Sequence, residues 1–179
     1  MNAVFSAYSR LTDRLSAQEA VLPTLARLTF GGVLAGYFWA SALTKFDSFP
    51  FGLSAGAFAQ IYPRQFEALG YDASLIGVIP WLVVLFGSWA EILLPALILL
   101  GLFTRPAALG MIGFIGMQSL TDVYGHLVGP KSVGAWFDRI ADAPILDQRA
   151  LWVMLLLILV VKGAGPLSID RLTRQWVSG

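Results

Sequence analysis

The chain has 179 residues, of which 57% are hydrophobic and only 13% charged, and its mean hydropathy is +0.72; a water-soluble domain carries charge on about a quarter of its residues. A net charge of +1 gives nucleic acid nothing to attract, so no nucleic-acid partner is expected. The absence of cysteine excludes disulfides, thiolate metal sites and covalent c-type haem, and a single histidine excludes bis-histidine haem ligation within one chain. What remains is a polytopic α-helical membrane protein, read as one membrane domain over residues 1–179 with membrane lipid around it.

Residues 1–22 read as an amphipathic N-terminal segment. Val4, Phe5, Tyr8, Leu11 and Leu15 share one helical face, with Arg10, Asp13 and Arg14 opposite. Such a helix either lies in the headgroup layer or packs on the end of a bundle. No basic stretch runs directly into an apolar core and a small-residue cleavage site, so no cleaved signal peptide is expected.

Pro23 opens the first span, about 25–43. Arg27 falls in its first turn and is expected to snorkel to the interface. Gly32 and Gly36 offer a small-xxx-small face for close packing. Lys45 follows at the far end, readable equally as an interfacial lysine or a functional one. Residues 44–80 then form an outer loop studded with Phe46, Phe49, Phe51, Phe58, Tyr62, Phe66 and Tyr71. Aromatic rings favour the interface, so this loop is expected to cap the outer mouth of the bundle with short helices.

The second span, 81–103, is long enough for a hydrocarbon core that needs about 20 helical residues. Its one charge, Glu91, stands near the middle. An acid at that depth costs roughly +2.5 to +3.5 kcal/mol, so it should have a partner and a purpose. Pro95 has no N–H for the carbonyl of Glu91, which frees a polar backbone group beside the carboxyl.

A tight turn at Thr104-Arg105 leads into the third span, about 106–125. Its uncharged run ends at Leu120, so a full crossing draws Gln118 and Asp122 inside. Counted from the shared turn at about 1.5 Å per residue, Glu91 and Gln118 both stand roughly 18 Å up. Gln118, Asp122 and His126, spaced by four, make a polar ladder from the level of Glu91 to the outer surface. Gly110, Gly113 and Gly116 thin another side for packing. In the second outer loop, 126–145, Val133, Trp136, Phe137 and Ile140 predict another short amphipathic helix. The last span, about 146–162, has Asp147 and Arg149 in its outer turn and ends at Lys162 before Gly163, Gly165 and Pro166. Seven Lys/Arg fall on the side of the termini and five on the side of the long loops, which predicts both termini in the cytoplasm.

Three pieces of the chain together resemble the DoxX family of small four-span membrane proteins. They are Ser41–Lys45 (SALTK); Glu91 followed by LILLGLFTRPAALGM at 97–111; and the closing GAGPLSID at 163–170. The resemblance implies an all-α fold, a transmembrane four-helix bundle with short interfacial helices in the two outer loops, in a bacterial or archaeal cytoplasmic membrane. The family takes its name from a subunit of a membrane complex that passes electrons to quinone. Lys45 and Glu91 are the positions that the match carries over.

Three functions compete. In the first, Glu91, Asp122 and His126 handle protons in an outward-opening pocket, while Lys45, Gln118 and Trp89 hold a quinone headgroup. No haem, Fe–S or nucleotide signature is present, so the chain could serve only as a subunit of an oxidoreductase complex. In the second it is a non-catalytic anchor or assembly partner for another protein or a second copy, with Glu91 fixing the register of a neighbouring helix. In the third, Asp122 and His126, with Asp147, bind or pass a metal ion. A single histidine argues against that last reading, and an Asp122–His126 hydrogen bond is the simpler expectation.

Overall fold

The computed structural model describes residues 2–16 and 19–178, with side chains described for 5–13 and 19–176. Helix α1 (Asn2–Ser16) leaves Phe5, Tyr8 and Leu11 exposed; Val4 and Leu15 lie outside the described side chains. A first long helical rod follows: α2 (Val21–Phe30), a π turn at Gly31–Ala35, and α3 (Gly36–Leu43). At Gly31 an added Cβ would stand 2.2 Å from Leu99 Cδ2, so that glycine lets a neighbouring helix reach the backbone. Gly110 does the same against Leu94 (3.3 Å), but Gly32, Gly36, Gly113 and Gly116, also expected to pack, have nothing within 4 Å. These last four face outward because the bundle packs through other sides of the same helices.

The second rod is α6 (Val78–Leu100). It ends in a Schellman closure, where Gly101 takes the left-handed conformation (φ +66°) and the Leu102 N–H reaches back to the Leu97 carbonyl. Helix α7 (Thr104–Leu120) starts immediately after and widens into a π turn at Thr121–Gly125. The last rod is a π turn at Pro144–Gln148 running into α9 (Arg149–Lys162), after which α10 (Ile169–Ser178) closes the described chain. Among the described residues three helices are long and apolar enough to cross a membrane: Val21–Leu43, Val78–Leu100 and Pro144–Lys162. The segment read as the third span is helical but not among them, because its apolar run stops at Met117 and Gln118, Ser119, Thr121 and Asp122 follow.

Helix α7 packs between α6 and α9, α2 packs on α9, and α3 on α6. Their shared core is Phe30, Leu34, Phe38, Ile98, Met111, Ile115, Leu156 and Leu159. Outside it stands a belt of exposed apolar residues such as Leu28, Val33, Leu93, Leu109 and Leu151. That inversion costs a soluble protein dearly and suits a helix surrounded by lipid.

The 44–80 connection folds into a cap. A two-stranded antiparallel hairpin, β1 (Phe46–Ser48) with β2 (Gly52–Leu53), leads into α4 (Ala55–Ile61), α5 (Pro63–Ala68) and a 3-10 turn at Ala73–Leu75. This short hairpin sits within an otherwise all-α, membrane-like fold, and the helices are as expected. Ala57, Phe58, Phe66 and Ile76 form a second core against Val84 of α6, which fastens the cap to the bundle. Ser54 starts α4 by accepting from the Ala57 N–H (3.1 Å) while donating to the Thr44 carbonyl (2.9 Å). Ser54→Ala should therefore cost about 1 kcal/mol, read as a lowered melting temperature.

The second outer loop differs from its prediction. Only α8 (Pro130–Val133) is helical there, since Gly134 (φ +78°) and Phe137 (φ +66°) both turn left-handed and break the run through Ile140. Trp136 instead donates to the Leu146 carbonyl (3.1 Å), pinning the loop to the start of the last rod.

Candidate functional site

Lys45 sits one residue beyond the C-cap of α3, so its side chain can fold back along that helix. Its ammonium donates to the Ser41 carbonyl (3.2 Å), to Ser41 Oγ (2.7 Å) and to Glu91 Oε2 (2.8 Å). Three bonds use all three ammonium protons. Lys45 and Glu91 are only 3% and 4% exposed. An ion pair buried that deeply is tolerable only because each charge neutralises the other and further hydrogen bonds complete the set. One residue past Glu91, the Ile92 carbonyl accepts from the Trp39 indole (3.2 Å), beside the carbonyl that Pro95 cannot serve.

The pair forms part of the wall of a cavity of about 660 Å³. Helix α3 supplies Tyr37, Ser41 and Lys45, α6 and α7 form the flanks, and Gln60 and Ile61 of the cap roof it. Five of the six residues singled out in the sequence line this one space: Lys45, Glu91, Gln118, Asp122 and His126. The sixth, Trp89, does not. It is turned to the hairpin, where its indole donates to the Pro50 carbonyl (3.2 Å) and its ring stands 5.1 Å from that of Phe49.

The ladder on α7 is gathered but differently partnered. Gln118 donates to the Tyr37 hydroxyl across the cavity (2.8 Å). Asp122 pairs with Arg149 of α9, which also donates to Ser119 Oγ (2.8 Å). Arg149, placed by sequence in the outer turn of the last span, is 7% exposed. The expected Asp122–His126 hydrogen bond is not made, for the π turn separates their partners: His126 Nε2 meets the Gln60 carbonyl (3.0 Å) and so ties α7 to the cap. Asp147 accepts from the Ala143 N–H (2.9 Å). Among the described residues no group of three or more His, Asp or Glu could hold a metal ion, so the metal reading finds no ligand set here.

Arg27, expected to snorkel, is only 6% exposed and donates to the Leu167 carbonyl. Its guanidinium lies over Gly101, where a Cβ would come 1.9 Å from Nη1. Asp170 of the closing motif accepts from the Phe103 N–H (2.8 Å) and the Thr104 N–H (3.0 Å), and its own N–H donates to the Gly101 carbonyl (2.8 Å). The LGLFTRPAA turn and the GAGPLSID stretch are thus two halves of one clasp, at the end of the bundle away from the cavity roof.

The cavity is apolar over most of its wall, and its charges are compensated internally, Lys45 by Glu91 and Asp122 by Arg149. Such a lining favours a neutral guest with a small polar head. A family model described as DoxX matches residues 22–121. That range takes in Arg27, Lys45, Glu91 and Gln118 but stops one residue before Asp122, so His126, Arg149 and the closing motif lie outside it. No curated protein matches the chain, and no solved structure does.

Proposed function

The chain belongs to the DoxX family, and on that premise we propose that it is a redox-associated integral membrane subunit whose cavity receives a quinone headgroup at Lys45 and Glu91. The observation that carries this reading is the buried Lys45–Glu91 pair on the wall of an otherwise apolar, ligand-sized cavity (pockets for small molecules run to about 300–1,000 Å³). With the protons of Lys45 all committed, the acceptors left over are the remaining lone pairs of Glu91 and the Oε1 of Gln118, which is buried without a partner. Acceptors suit the hydroxyls of a reduced headgroup, and oxidising a quinol releases the protons that a carboxylate can take up. Asp122 and His126 stand between that carboxylate and the outer surface as onward carriers. The electrons must go to another protein, because this chain holds no carrier of its own.

The same reading makes 104–125 a fourth crossing, within a four-helix bundle in a bacterial or archaeal cytoplasmic membrane with both termini inside. Its support is that α7 lies between α6 and α9 and turns Asp122 onto Arg149, so that polar group is met by protein rather than lipid.

Purification in mild detergent followed by lipid extraction tests the function. The expected result is quinone at near one per chain, lost in Glu91→Gln while the protein still elutes as a folded species. A stoichiometric protein partner with no extractable small molecule would overturn it in favour of a non-catalytic anchor.

A further inference from the structure

The cavity does not end behind its walls. Phe86 on α6 and Met117 on α7 line it and yet are 67% and 62% exposed, and Val83 on α6 is also exposed. Near that rim α6 presents the small Gly87, which faces Ile61 of the cap, and Ala90, while Gly110 of α7 sits against Leu94, 3.3 Å from where its Cβ would stand. Ala90 immediately precedes Glu91, so the gap lies level with the ion pair and about midway along Val78–Leu100. At that depth the surface on which Phe86 and Met117 open is surrounded by acyl chains, not by water. The outer mouth, by contrast, is roofed by Gln60 and Ile61 and tied down by His126.

We propose that the cavity is reached sideways, from the bilayer core through the cleft between α6 and α7, and that its guest is a lipid-tailed molecule. The neutral polar head passes Gly87 and Ala90 to reach Lys45 and Glu91, and the hydrocarbon tail stays between Phe86 and Met117 in contact with lipid. An apolar gap open to the bilayer forfeits its dispersion contacts if left empty, so acyl chains fill it whenever a specific guest does not. This route differs from the outward opening expected from sequence. It rests on the functional reading above only in placing the cleft within the membrane, and it does not require the guest to be a quinone.

The chain has no cysteine, so a single introduced thiol can be labelled cleanly. Ala90→Cys and Leu93→Cys, each carrying a bimane fluorophore, are placed in nanodiscs with and without dibrominated phosphatidylcholine, and each is also titrated with aqueous iodide. Leu93 is exposed on the outside of α6 and does not line the cavity. The expected result is strong bromolipid quenching at both positions and little iodide quenching at either. Adding Gly87→Phe should remove most of the bromolipid quenching at position 90 and none at 93. Gly113→Phe, at an exposed glycine with nothing within 4 Å, should change neither. Iodide quenching without bromolipid quenching at position 90 overturns the proposal by showing an aqueous mouth alone, and quenching by neither overturns it by showing a closed chamber. Because the probe lipid is no quinone, these outcomes are independent of whether quinone co-purifies.

Discussion

Lys45→Met is expected to destabilise the folded protein by about 3–5 kcal/mol, the usual cost of stranding one member of a buried ion pair. The substitution keeps the unbranched stem but leaves Glu91, 4% exposed, with its main counter-charge gone. Ser41 alone cannot balance a carboxylate in hydrocarbon surroundings, so the acid must either take up a proton or draw the helices apart. Joining Glu91→Met to Lys45→Met removes the stranded charge, and the double variant should regain most of the loss. The two singles and the double form a cycle read from thermal unfolding in one detergent. A double variant as unstable as Lys45→Met would show that the lysine contributes through packing along α3 rather than through the acid. The same double variant separates folding from function, since it should be stable and yet hold no quinone.

How much of this was legible in the sequence depends on the distance over which each residue finds its partner. The rods could be read because hydrophobic length is a local property, and the cap because a long aromatic connection has to bury its rings somewhere. Counting from the Thr104-Arg105 turn put Glu91 and Gln118 at one level, and both line the same cavity. Pairings across helices could not be counted. Lys45 and Glu91 are 46 residues apart and Asp122 and Arg149 are 27 apart, and nothing local says which cation turns inward. Arg27 was expected to snorkel because an arginine near the end of a span usually reaches the interface, and Arg149 was placed in an outer turn with no partner named. Here backbone carbonyls and a carboxylate hold them inside. Trp89 misled through proximity, for two residues along a helix is more than half a turn, and that rotation carries the indole from the acid's face to the hairpin. In the second outer loop, apolar residues at helical spacing did not outweigh Gly134 and Phe137, whose left-handed conformations no helix can contain.

Asp170→Ala should cost about 1–2 kcal/mol, the upper range for a lost helix cap, because two backbone donors lose their acceptor together. The carboxylate receives the Phe103 and Thr104 N–H groups, two of the free donors at the start of α7, where a negative charge is also favoured by the helix dipole. Phe103 is held at φ +48°, a left-handed conformation costing a residue with a side chain about 1–2 kcal/mol, and its bond to Asp170 helps offset that. Asp170 also acts electrostatically on Arg27, which has two guanidinium nitrogens without partners. Asp170→Asn keeps an acceptor for one N–H and removes the charge, so it should fall between wild type and Asp170→Ala. Gly101→Ala attacks the same clasp from the other side and should be at least as severe, since its Cβ would come 1.9 Å from Arg27 Nη1 and 2.6 Å from Ser168 Cβ. Thermal unfolding of the three variants in one detergent should rank Asn above Ala at position 170, with Gly101→Ala at or below both. If Asp170→Ala unfolds at the wild-type temperature, the closing motif is not what holds the α6–α7 turn, and the pairing of the LGLFTRPAA and GAGPLSID stretches needs another explanation.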